Sequence, residues 1–151
     1  MEPESRVFEY REHPEHPGWS TWRLRDDTRF NSVVLGEMIV RVEGDKCRLR
    51  MFPERKHTNL QDMIHGAITL SLIDVSLFAA MRTLTGGDAG PAVTLELSTQ
   101  FIGAGKPDEP LDSVVEVLRE TGRMLFLRGE VVQDDHLVAG FSGLIRKAPR
   151  R

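Results

Sequence analysis

The fold turns on residues 63–84, MIHGAITLSLIDVSLFAAMRTL. Ala67, Leu70, Leu72, Ala79, Ala80, Met81 and Leu84 are good helix formers, and they carry a helix from about Met63 to Leu84. Apolar side chains fall on nearly every face, so the rest of the chain must enclose this helix on most sides. Asp74 and Arg82 interrupt the run, which reads as a buried core helix rather than a membrane span. Thr85-Gly86-Gly87 ends it.

Strand patterns lie on both sides. Upstream, Val33, Val34, Leu35, Met38, Ile39, Val40 and Val42 lead to a turn at Gly44-Asp45. Cys47, Leu49 and Met51 then alternate with Arg48 and Arg50, so 31–52 reads as a hairpin closed by Pro53. Downstream, 91–102 carries Val93, Leu95, Leu97 and Thr99. Segments 111–120, 123–133 and 136–147 follow, separated by a Gly/Pro-rich loop and by turns at Thr121-Gly122 and Asp134-Asp135. Short turns pair neighbouring strands antiparallel. The economical architecture is α+β: one antiparallel sheet of about six strands wrapped around one long helix.

The 151 residues supply one core, with 40% hydrophobic and 28% charged residues. A net charge of −3 lacks the basic excess of a nucleic-acid coat, so no nucleic-acid partner is expected. The single cysteine, Cys47, can form no intrachain disulfide. The opening residues are polar, with Glu2, Glu4, Arg6, Glu9, Arg11 and Glu12, and show no apolar signal core. The expectation is a cytoplasmic protein with no membrane partner. Residues 1–29 form an N-terminal extension, broken by Pro14, Pro17 and Gly18, with Trp19 and Trp22 to pack it on the body at 30–151.

Polar side chains concentrate at the junction His57-Thr58-Asn59-Leu60-Gln61-Asp62-Met63-Ile64-His65-Gly66-Ala67. A helix start offers unpaired N–H groups and partial positive charge, suited to an anion or a developing oxyanion. Gly66, lacking Cβ, lets a ligand carbonyl approach its N–H. Taken alone, the commoner reading is that Asn59 or Asp62 caps the helix. Asp74 is the second feature, an acidic residue between Ile73 and Val75 on an apolar helix. Such a group needs a partner, either a structural hydroxyl such as Ser71 or a role at an active site. His65 and Asp74 are nine residues apart. On a helix this means about 13.5 Å of rise and about 180° of rotation. If both serve one substrate, they come from different subunits of a symmetric dimer.

Other candidates favour plainer roles. Cys47 lies between Lys46 and Arg48 with no histidine motif around it, so a catalytic thiol is not expected. His57 and His65 lack a cysteine or acidic partner at metal-ligand spacing, so no metal is expected. Gly103-Ala104-Gly105-Lys106-Pro107 lacks the Walker spacing and reads as an interstrand loop. Met63, Leu70, Phe78, Met81, Phe101 and Phe126 suit core packing better than pocket lining.

The strand–strand–helix–four-strand order resembles the hotdog fold. Asn59, then His65-Gly66-Ala67, then Asp74 resembles the phenylacetate-pathway (PaaI-like) branch of acyl-CoA thioesterases, whose pattern is Asn, His-Gly-Gly, Asp. Phe30-Asn31, Leu35-Gly36, Val93 to Leu97, Gly122-Arg123 and Phe126 extend the resemblance over about 29–147. It implies hydrolysis of acyl-CoA with no cofactor, in a homodimer or a dimer of dimers with shared sites. Gly66 would hold the thioester oxygen, Asn59 would position substrate or water, and His65 would support the oxygen or the leaving thiol. Asp74 of the partner subunit would be base or nucleophile, and Thr94 would orient the water or the Asp. Ala67 departs from the family's second glycine, and Thr94 is bulkier than the serine often found there. A non-catalytic acyl-CoA-binding protein is the alternative. A hydratase ranks below both, because its Asp-x-x-x-x-His spacing is missing.

Overall fold

The computed structural model describes residues 7–148, so the first six residues of the expected extension and the last three of the body lie outside the described residues. Two short strands, β1 (Phe8–Glu9) and β3 (Arg23–Leu24), pair with each other, and β2 (Ser20–Thr21) lies between them in sequence. The body follows: β4 (Met38–Glu43), β5 (Lys46–Met51), helix α1 (Gly66–Ala80), β6 (Val93–Phe101), β7 (Leu111–Glu120), β8 (Met124–Gln133) and β9 (His136–Arg146). The main sheet is antiparallel throughout, in the order β2-β4-β5-β7-β8-β9-β6. Six of its strands are those expected, and the seventh, β2, comes from the extension.

The sheet wraps α1 as the hotdog arrangement requires. Leu72, Ile73, Leu77, Leu49, Leu111, Val115, Leu125 and Ile145 are all fully buried between helix and sheet. Burying each such side chain contributes about 1.5–3 kcal/mol. The approach is closest at Gly143, where an added Cβ would lie 2.6 Å from Leu77 Cδ1. A side chain there would have to displace the Leu77 isobutyl group.

Two sequence expectations shift, and the helix end keeps its place in a wider form. The helix begins at Gly66 rather than Met63, because Asn59 N–H donates to the Met63 carbonyl (2.8 Å) and Ile64 N–H to the Gly105 carbonyl (2.9 Å). Those bonds commit Met63 and Ile64 to the loop. The last turn widens into a π turn over Met81–Thr85 before Gly86 stops it in the left-handed region (φ 72°). Residues Asn31–Leu35, read as the start of a strand, form another π turn, closed by Gly36 at φ 77° with its N–H on the Asn31 carbonyl. The hairpin proper is Met38–Met51.

Residues 19–22 grip one edge of the sheet from both sides. Trp22, 2% exposed, joins the core with Met38 and Val40, stacked on Phe8 (4.9 Å) with Tyr10 edge-on (5.9 Å). Trp19 lies under the guanidiniums of Arg41 (4.3 Å) and Arg50 (4.8 Å), which strand alternation puts on the face away from the helix. There Arg48 and Arg50 donate three hydrogen bonds of 2.7–2.8 Å to Asp112, whose burial they offset.

Candidate functional site

The loop entering α1 is held by side-chain acceptors. Glu54 N–H donates to His57 Nδ1 (2.9 Å), so the ring proton sits on Nε2 and donates to the Val34 carbonyl (2.6 Å). His57 is buried and structural, with both nitrogens occupied. Asn59 Oδ1 accepts from the N–H groups of Gln61 (2.9 Å) and Met63 (3.2 Å), which closes the turn around Asp62 at φ 59°. Neither Asn59 nor Asp62 caps the helix. The cap is His65, whose Nδ1 accepts from Ala67 N–H (2.9 Å).

These bonds sort the donors. With Nδ1 accepting, the neutral His65 ring carries its proton on Nε2, and that donor is unengaged among the described residues. The Asn59 amide has spent its oxygen and keeps its NH₂. Of the first four helix N–H groups, Ala67 is capped, and Ile68 and Thr69 both bond the His65 carbonyl. The Gly66 N–H has no partner among the described residues. Asn59 and His65 line an open concavity of about 750 Å³ with Arg55, Thr58, Leu60, Gln61 and Asp62. Leu60 stands fully exposed at its rim. An added Cβ at Gly66 would lie 3.4 Å from the Phe101 ring, an ordinary contact, so packing alone does not demand glycine there.

The carboxylate sits elsewhere. Asp74 is half-buried, not buried, and its partner is Thr94 rather than Ser71: Thr94 Oγ1 donates to Asp74 Oδ1 (2.6 Å). Ser71 Oγ turns back to the Ala67 carbonyl (2.7 Å). Oδ2 of Asp74 has no partner among the described residues. Thr94 reaches the helix because of a bulge. Thr94 pairs with Ile145 and Glu96 with Leu144, leaving Leu95 as the extra residue. Asp74 does not line the Asn59–His65 concavity. One chain therefore presents two half-sites, free donors on Asn59, His65 and Gly66 along the loop–helix junction and a carboxylate–hydroxyl pair two to three turns along. Around the second half, Leu70, Val93 and Leu95 are exposed, and among the described residues β6 is a sheet edge with no strand on its outer side.

The remaining candidates are structural. Cys47 is fully buried, and desolvation pushes its thiol up to about 11, the reverse of an activated nucleophile. The Gly103–Pro107 loop is pinned by the buried Gln133, which bonds both the N–H and the carbonyl of Lys106 (2.7 Å each). Met81 is core, while Phe101 and Phe126 are exposed rather than core. Sequence reasoning missed His65 as the cap and Phe101 as the ring beside Gly66. The first is an uncommon cap residue, and the second contact spans 35 residues of chain.

Comparison with known proteins adds the family. The family model described as thioesterase superfamily matches residues 61–139. Acyl-coenzyme A thioesterase 13 of Mus musculus is 26% identical over 98 residues, covering 64% of this chain and 68% of the relative. Among solved structures, the E. coli PaaI protein from the phenylacetic acid degradation operon superposes with a TM-score of 0.67 at 20% identity, covering 78% of this chain and 83% of that one. A hypothetical thioesterase from Streptococcus pneumoniae, solved with coenzyme A, has a TM-score of 0.65 at 18% identity, covering 74% and 89%. These structures share the hotdog fold.

Proposed function

The chain belongs to the thioesterase superfamily, and from that premise we propose that it hydrolyses acyl-CoA thioesters to the free acid and CoA. The observation that carries this reading is the sorting of donors at the helix start. Asn59 and His65 each spend an acceptor on the loop or the helix, and each keeps a donor on the loop that leads to the unpaired Gly66 N–H. Preorganised donors of this kind stabilise an oxygen that gains negative charge in the transition state.

The reaction needs a second group, an activated water. The partner subunit's Asp74 supplies it: its carboxylate takes a proton from water as the oxygen attacks the thioester carbon. Thr94 donates to Oδ1 and leaves Oδ2 as the base. The tetrahedral oxyanion is held by Gly66 N–H, with His65 Nε2–H and the Asn59 amide beside it. Collapse breaks the C–S bond, and the proton held by Asp74 passes to the departing thiolate. Asp74 attacking directly would form an anhydride that water then opens, using the same groups.

A homodimer joined along β6 completes the site, and a dimer of dimers preserves it. An exposed apolar edge strand beside the carboxylate is a surface that a second copy would cover. We place the protein in the cytoplasm, where a lone thiol such as Cys47 stays reduced.

The test is thiol release from a panel of short, long and aromatic acyl-CoAs, with Asp74→Asn in parallel. Turnover by the wild type, reduced by about 10²–10⁴ in a folded Asp74→Asn protein, is the expected result. Near-native turnover by the variant would overturn the role of Asp74. Tight acyl-CoA binding with no thiol release would favour the non-catalytic binding protein.

A further inference from the structure

The extension carries a feature outside the thioesterase pattern. Loop 13–19, His-Pro-Glu-His-Pro-Gly-Trp, puts two histidines three residues apart, each followed by a proline. Both ends are tied: His13 N–H donates to the Trp19 carbonyl (2.9 Å) and Trp19 N–H to the His16 carbonyl (3.1 Å). The rings of His13 and His16 meet edge-on, 4.5 Å apart at 65°, and His16 stacks on Phe52 (5.6 Å). Glu37, at the entry to β4, completes the group. One donor atom from each of His13, His16 and Glu37 lies within 4.8 Å of the others. His13 is buried, whereas Glu37 is exposed, so the cluster opens to solvent on one side.

We propose that His13, His16 and Glu37 bind one zinc-class divalent ion, which clamps the extension to the sheet. Two imidazoles and one carboxylate suit Zn²⁺, or Co²⁺ as its spectroscopic substitute. Calcium and magnesium prefer all-oxygen shells. The fourth position takes water. Without metal, Glu15 N–H donates to His13 Nδ1 (3.0 Å), so the proton on Nε2 bridges to Glu37 Oε1 (2.6 Å). The ion takes the place of that bridging proton. The two atoms then separate to the ~3.3–3.4 Å that ligands set ~2.0–2.1 Å from a tetrahedral zinc require. The ring proton moves to Nδ1, so the Glu15 N–H bond is given up and the 13–15 turn opens to let water accept from both donors; the Glu15 residue is exposed. The preorganised loop is what recommends the site, because both histidines are oriented before any ion arrives. This departs from the expectation of a metal-free chain, which weighed only His57 and His65. The inference is independent of the proposed hydrolase activity, because the ligands lie at the opposite sheet edge from β6.

The experiment uses the full chain, stripped with chelator and titrated with Zn²⁺ against a chromophoric competitor, then with Co²⁺ in the visible range. The expected result is one ion per chain, a d–d spectrum of a low-coordinate nitrogen–oxygen site and a rise in Tm on loading. Affinity should fall at least tenfold in His16→Ala and in Glu37→Gln, and the Tm rise should vanish. Both changes are at partly exposed positions, and the metal-free Tm of each variant reports whether its fold survives. Absence of saturable binding in the wild type, or unchanged affinity in folded variants, would overturn the site.

Discussion

The two edges of the sheet are treated differently. At β4, the chain folds its own residues 19–22 over the edge, one tryptophan on each face, and pairs β2 with the exposed backbone. At β6 it does none of this. Among the described residues, nine residues of strand run along a bare edge, with Val93 and Leu95 exposed beside the Asp74–Thr94 pair and Phe101 exposed at the far end near Gly66. An uncovered apolar edge is a hazard unless another chain occupies it. The contrast shows that edge protection is within this chain's means and is withheld where the carboxylate half-site lies.

The sharpest way to break this contrast is a charge on the bare edge. Leu95→Asp should prevent chains from associating along β6 and so remove turnover altogether, leaving folded monomers. Sedimentation and thiol release check it together: an active monomer would sink the shared-site reading, and an active dimer would sink β6 as the interface. A large truncation on the gripped edge should behave in the opposite way. Trp22→Ala removes a fully enclosed ring from the core and should cost about 3–5 kcal/mol in a urea melt. The oligomer and the activity per folded molecule should stay as they were. If Trp22→Ala instead dissociates the oligomer, the two edges are not separate devices. The smallest effect tests the pair itself. Thr94→Val keeps the shape and deletes the donor to Asp74. A hydrogen bond to a charged group is worth about 1.5–3 kcal/mol, so kcat should drop by about 10- to 100-fold with KM and fold little changed. An unchanged kcat would reduce Thr94 to a packing residue.

Much of the fold was legible along the chain. Strands β7, β8 and β9 start and stop within a residue of where alternation and turn residues put them. Gly86 stops the helix at the expected place. What stayed hidden depends on partners far away in sequence. Met63 and Ile64 continue the helix's apolar pattern, and bonds to Asn59 and Gly105, with a bridge from Ile64 to Thr58, keep them out of it. The valine-rich run at Asn31–Leu35 suggests a strand, but Gly36 closes it as a turn. At the site, a polar junction and an isolated Asp were visible by residue type, and the family pattern supplied their grouping. Periodicity alone would have hidden Thr94, because Val93, Leu95 and Leu97 read as one inward face. In the fold only Leu97 obeys; Val93 and Leu95 are exposed.

That discrepancy follows from the extra residue in β6. Before it, even numbers face the helix: Ala92 is buried and Thr94 meets Asp74. After it, odd numbers do, as Leu97 and Thr99 show beside the exposed Glu96, Ser98 and Gln100. The strand thus carries two reading frames joined at Leu95. A single frame through the whole strand would turn the hydroxyl to solvent and Leu95 inward, losing the carboxylate's partner and the apolar edge in one step. Tolerance to substitution along β6 should therefore switch parity at Leu95.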